Sequence, residues 1–206
     1  MAALQLPSQL RDQILYTMYS KAEELDWELL SNGKKTEQYR QWVDDDEVGQ
    51  VMLRHGAEKD VRVWLKDVAM KEYARAQEGI GSYVRYLPNR FKGTQEIVNA
   101  ALDPSWIVKP DSVVIKPNRC TAIKDASSRL VVWGRPSSFK DLFWAALTAT
   151  KGGGDEAVIV VTTRDGENIS DADKLMQKEI GVRGDFEVVH LNRQMIPNPD
   201  YVPLSA

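Results

Sequence analysis

Apolar residues recur along the first part of the chain at helical intervals and along the last part in short unbroken runs. Over residues 9–30, Leu10, Ile14, Tyr16, Met18, Ala22, Leu25 and Leu29 follow three- and four-residue spacings, which predicts an amphipathic helix with one buried stripe. Asn32-Gly33 then reads as a helix stop and turn. A second helix is expected over residues 36–55, with Tyr39, Trp42, Val43, Val48, Val51 and Met52 inward, weakened at Gly49 and closed by His55-Gly56. A third is expected over residues 59–77 on Val61, Trp64, Leu65, Val68, Met70 and Tyr73. Lys66 and Asp67 fall among these apolar positions, either as outward-snorkelling flank residues or as a functional pair.

The pattern changes after Gly79. Glycine and proline punctuate residues 79–110, with one short helix expected over 94–102. Residues 112–116 and 120–123 read as short strands. Strand-like and helix-like segments then alternate: 129–133, 139–150, 157–163, 171–180 and 186–191. A β-α-β-α-β order implies a mostly parallel sheet whose functional edge lies at the carboxyl ends of its strands. Ser137 and Ser138 are expected to cap the helix at Phe139, with Asp141 in its first turn, and Ser170 to cap the last helix. The expected class is therefore α/β, or α+β overall. A helical region over 1–84 is followed by a basic linker or loop over 85–110, then by a mixed, centrally parallel sheet flanked by helices over 111–206. Pro197, Pro199 and Pro203 mark an extended, loosely held tail.

With 206 residues, 43% hydrophobic and 28% charged, the composition is that of an ordinary globular protein. No apolar run reaches the length of a membrane span, and the first residues lack a signal-peptide pattern. The lone Cys120 cannot form an intrachain disulfide, which implies a reducing, cytoplasmic setting. One cysteine and two separated histidines, His55 and His190, argue against structural zinc.

The net charge of −3 is unevenly spread. Residues 85–140 carry ten basic and four acidic side chains, against eleven and fifteen before them and six and eleven after. Tyr83, Tyr86, Phe91, Trp106 and Trp133 lie within or beside that basic stretch, and aromatic faces among cations suit a nucleic-acid groove. Arg85, Arg90, Lys92, Lys116, Arg119 and Lys140 are the expected contacts to DNA or RNA. The alternative is a set of solvated loop charges.

The run Lys151-Gly152-Gly153-Gly154 follows a predicted helix and precedes a strand, which makes it a helix stop rather than a phosphate loop. Arg164-Asp165-Gly166 lies on the correct side of a strand for a ligand loop, with the composition of a plain turn. Cys120 and His190 are available as a nucleophile and base, or else as a core residue and a hydrogen-bonded strand residue. The run Asp44-Asp45-Asp46-Glu47 lacks calcium-loop spacing and reads as a solvated face or helix start.

Pro110-Asp111 precedes a predicted strand, a second strand ends in Trp133-Gly134-Arg135, and helix, strand, helix and strand follow. This order resembles the core of the PD-(D/E)XK, or restriction-endonuclease-like, nucleases of microbial defence and DNA processing. In that family an Asp beside one strand and a Glu-x-Lys triplet on the next hold magnesium and position the attacking water. The resemblance covers residues 105–192. It implies Asp111 as the metal-binding Asp and Arg135 in the place of the Lys. Trp133 stands where the second carboxylate belongs, so Asp141 is the substitute metal ligand and Glu47 the match to an acidic residue on the family's first helix.

The implied activity is magnesium-dependent phosphodiester hydrolysis. Asp111 and Asp141 would hold the metal, and Arg135 or Lys140 would steady the phosphate. Two other readings remain open. One is a non-catalytic subunit that docks a protein partner or homodimerises through its six tryptophans. The other is an α/β domain holding a small molecule above the strand ends near Arg164.

Overall fold

The structure, a computed structural model, describes residues 4–115, 117–151 and 156–203. Lys116 and Gly152-Gly153-Gly154 lie outside the described residues. The chain divides into two compact units, Met1–Arg90 with Pro197–Ala206, and Phe91–Ile196.

The first unit is helical. Helix α1 (Ser8–Glu24) buries Ile14, Leu15, Met18, Tyr19 and Ala22. Leu25 and Leu29, expected on the same stripe, are exposed: the helix ends at Glu24, and the left-handed Asp26 breaks the helical phase before Leu29. Asn32-Gly33 begins a helix rather than ending one. Helix α2 (Asn32–Asp44) follows Ser31, whose hydroxyl accepts the Lys34 amide.

The expected second helix is broken between Asp44 and α3 (Gly49–Met52). There the Asp45 carboxylate accepts the amides of Glu47 and Val48, while Lys21 binds Asp45 at 2.9 Å and Glu47 at 3.3 Å. The acidic run is a braced turn, and Glu47 belongs to it. A β-carbon at Gly49 would lie 2.0 Å from the Val43 carbonyl oxygen, so only glycine permits this approach.

The third predicted helix is continuous, formed by α4 (Glu58–Trp64), one wide π turn (Leu65–Ala69) and α5 (Met70–Gln77). Lys66 and Asp67 occupy the π turn, facing outward, with Asp67 paired to Lys71 at 3.0 Å. Trp27 stacks on Trp42 at 4.9 Å in the core that these helices share.

The C-terminal tail is not loosely held. The buried Asn198 side chain donates to the carbonyls of Val84 and Leu87 and accepts from Arg90. The Asn198 and Val202 amides donate to the carbonyls of Pro88 and Arg85.

The second unit follows the short strand β1 (Asn89–Phe91). It contains α6 (Thr94–Ala101), β2 (Ile107–Val108), β3 (Asn118–Lys124), β4 (Ser127–Gly134), α7 (Phe139–Thr150), β5 (Glu156–Arg164), α8 (Asp171–Arg183) and β6 (Glu187–Arg193), before the chain leaves through β7 (Met195–Pro197). The five-stranded sheet runs β2-β3-β4-β5-β6. Strand β3 is antiparallel to β2 and β4, while β4, β5 and β6 are parallel. The predicted strand over 112–116 is instead an isolated bridge between Val114 and Arg119.

Alternation along the strands separates two cores. Cys120, Ala122, Val131, Trp133, Val158 and Val160 face Ile97, Val98 and Ala101 of α6. Val132, Ala157, Ile159, Val161 and Val188 face Phe139, Leu142 and Ala146 of α7 and Ile180 of α8. Strand β5 is covered on both sides, as its unbroken apolar sequence requires. Ser170 caps α8 by accepting the Asp173 amide at 3.1 Å. Ser138 makes no such bond: Pro136–Ser138 forms a 3-10 turn that leads directly into α7.

Among the described residues no helix is long and apolar enough to cross a membrane.

Candidate functional site

Each of the three parallel strands delivers an arginine at its carboxyl end. Arg164 and Arg193 close β5 and β6 and are register partners, and Arg135 follows the last residue of β4. This is the edge at which parallel α/β sheets bind ligands. Arg193 is 2% exposed, and its Nε donates to Glu96 Oε2 at 3.3 Å. Glu96 comes from the first turn of α6. The guanidinium carbons of Arg193 and Arg164 lie 4.1 and 4.9 Å from the centroid of the buried Phe91 ring. Cation–π contact lets two like charges share one partly dry location.

The third arginine is held by the turn after β5. Arg135 Nη2 donates to Glu167 Oε1 at 2.9 Å, and the Arg164 backbone amide donates to Glu167 Oε2 at 3.3 Å. Both carboxylate oxygens are therefore bound, one by a guanidinium and one by a main-chain N–H. Gly166, at φ +82°, lets the turn reverse so that Glu167 faces back to the strand ends. Asp165, on the same turn, accepts from Asn192 at 3.4 Å.

The predicted metal ligands do not build a site of this kind. Asp111 is an exposed turn residue at φ +58°, a conformation that Asp tolerates. Its neighbour Ser112 is hydrogen-bonded to Thr121, which pairs with Leu130, so Asp111 sits beside the middle of β3 rather than near Arg135. Asp141 is exposed in the first turn of α7.

Trp133 stands where the second carboxylate would have to be, and the register places Asn118 across from it. An amide and an indole offer no anionic oxygen. Among the described residues no three His, Cys, Asp or Glu side chains cluster closely enough to hold a metal ion. The residues present do not fit magnesium.

The expected nucleic-acid contacts are dispersed. In the helical unit Arg85 lies over Tyr86 and bonds its hydroxyl, and Arg90 is bound to Asn198 and Asp200. In the sheet unit Lys92 and Lys140 are exposed, and Arg119 donates to the Pro117 carbonyl. Cys120 and His190 belong to opposite faces of the sheet. Cys120 faces α6, its thiol pushed up to about 12 by burial. His190 Nε2 donates to Gln177 of α8 at 2.8 Å, and burial, then Lys178 and Lys174, lower its pKa.

Arg193, Glu96 and Glu167 were not expected from the sequence, and Phe91 was expected only as one of the aromatic faces beside the basic stretch. Their one legible trace is that an arginine follows the apolar run of each parallel strand, in Trp133-Gly134-Arg135, Thr163-Arg164 and Asn192-Arg193. No family model, curated protein or solved structure matches the chain.

Proposed function

We propose that the chain is a nucleic-acid-associated protein whose sheet unit, built on a restriction-endonuclease-like order of elements, binds phosphate without hydrolysing it. The observation that carries this reading is the arginine at the carboxyl end of β4, β5 and β6. Guanidinium forks bind phosphate oxygens in pairs, and such contacts displace condensed counterions. The order strand pair, helix, strand, helix, strand supports the family reading. Asn118 opposite Trp133 supports the absence of cutting, because a hard cation there would have no carboxylate pair.

Filter binding to single- and double-stranded DNA at two salt concentrations, with and without magnesium, tests this proposal. Binding should weaken steeply as salt rises, Arg164→Gln should reduce it by about tenfold, and both strands should stay intact. Salt-insensitive association with a protein, or no binding to either DNA, overturns the reading. Magnesium-dependent cleavage would overturn its second half.

Of the six tryptophans only Trp144 is exposed, beside Leu147 on α7, with Leu175, Met176 and Val182 exposed on α8.

A further inference from the structure

We infer that the strand-end edge takes a phosphate monoester, such as the phosphorylated end of a nucleic-acid strand, and that Glu167 fills the place of that group until it arrives. This rests on the phosphate-binding reading above and names its ligand.

Three observations carry the inference. First, the Glu167 carboxylate is held as a bound anion is held, with Arg135 on one oxygen and the Arg164 amide on the other. Second, Arg164 and Arg193 are register partners and bring two guanidinium groups to the one buried ring of Phe91. Third, the second carboxylate at this edge, Glu96, arrives from a different element, α6, and engages Arg193. Two of the three edge guanidinium groups, those of Arg135 and Arg193, thus already hold a carboxylate, and a ligand that reaches Arg135 must exchange with Glu167.

That requirement selects the ligand. A tethered carboxylate competes at an effective concentration in the millimolar range. A backbone phosphodiester offers two free oxygens and one negative charge, the same as the carboxylate it would replace, so the exchange gains less from it than from a monoester. A monoester offers three terminal oxygens and a charge of about −1.5 to −2 at neutral pH. It reproduces both Glu167 contacts and keeps one oxygen and extra charge for Arg164. Gly166 supplies a conformationally free residue next to Glu167, where the carboxylate must swing aside.

The test uses the full chain and fluorescence anisotropy with one single-stranded oligonucleotide carrying a 5′-hydroxyl, a 5′-phosphate or a 3′-phosphate. Inorganic phosphate and a mononucleotide serve as competitors. A phosphorylated probe should bind about tenfold tighter than the hydroxyl probe, the size of one charge-assisted contact. Glu167→Gln should raise affinity for the phosphorylated probe by about tenfold, and Arg164→Gln should remove the preference, both with unchanged thermal melting.

Equal, steeply salt-dependent binding of all probes overturns the monoester site and leaves the nucleic-acid reading standing. Tight binding of the mononucleotide with no oligonucleotide binding keeps the monoester site and overturns that reading. Weaker binding by Glu167→Gln shows the carboxylate to be a positioning element of the site and overturns the exchange.

Discussion

The helical unit and the sheet unit both gather arginines against aromatic rings and carboxylates, to opposite ends. In the helical unit Arg85 rests on Tyr86 and Arg90 reaches Asp200, while Asn198 bonds the carbonyls of Val84 and Leu87. The Arg90 and Asn198 contacts fasten the tail to residues 84–90. In the sheet unit Arg135 meets the side chain of Glu167, Arg164 that of Phe91, and Arg193 those of both Phe91 and Glu96. A side chain can leave its partner by rotating, whereas a tail held by main-chain bonds leaves only by local unfolding. The same residue chemistry therefore ties backbone segments together in one unit and pairs side chains with side chains in the other.

The largest effect that tests this contrast is expected at Asn198. Asn198→Ala removes both carbonyl contacts and leaves two buried acceptors, costing about 3 kcal/mol in chemical denaturation and exposing the tail to proteolysis, while strand-end phosphate binding survives. Arg135→Gln should do the reverse. Its ion pair with Glu167 is part-exposed, so stability should fall by less than about 1 kcal/mol while anion binding drops.

Within the sheet unit Ser170→Ala should cost about 1 kcal/mol through loss of the α8 cap, with no change in binding. Asp111→Ala should cost about 1 kcal/mol because of its left-handed backbone and Asp111→Gly nothing, both measured by denaturation; a metal role predicts instead that both variants behave alike.

The smallest effect concerns pH. His190 has a folded pKa below its ordinary 6.5, so the unfolded chain takes up a proton that the folded chain resists. Its contribution is complete above 6.5 and is lost as pH falls from there through the folded value. Urea midpoints measured across that window should decline less in His190→Gln than in the parent chain.

What could be read in advance was what repeats. The third helix was expected over 59–77 and runs unbroken from Glu58 to Gln77, because its period is long and consistent. The parallel strands were legible as unbroken apolar runs, since a strand covered on both faces admits few other residues. Single residues defeated the reading elsewhere. Asp26 took a left-handed turn that put Leu29 out of phase with the buried stripe, and Ser31 turned Asn32-Gly33 from a stop into a start. The hold on the tail has no local signature, because it depends on partners more than a hundred residues away.

The site divides in the same way. Arg135 and Arg164 could be picked out singly, because each follows a strand pattern on the side where ligands bind. Arg193, Phe91, Glu96 and Glu167 could not be joined to them, since they lie up to about a hundred residues apart and share no local pattern. Asp111 drew attention as an acid after proline, and its backbone explains the residue better: all four non-glycine positions with positive φ among the described residues are Asp.

By itself the sequence determined the class of the fold, the order of elements from β4 to β6, and the buried face of most of them, because these follow from periodicity within a dozen neighbours. Tertiary structure alone decided that Asn118 faces Trp133, that three strand-end arginines share one edge, and that Glu167 answers two of them. Strand register and the direction of a turn are set by packing across the sheet, and no local pattern encodes either.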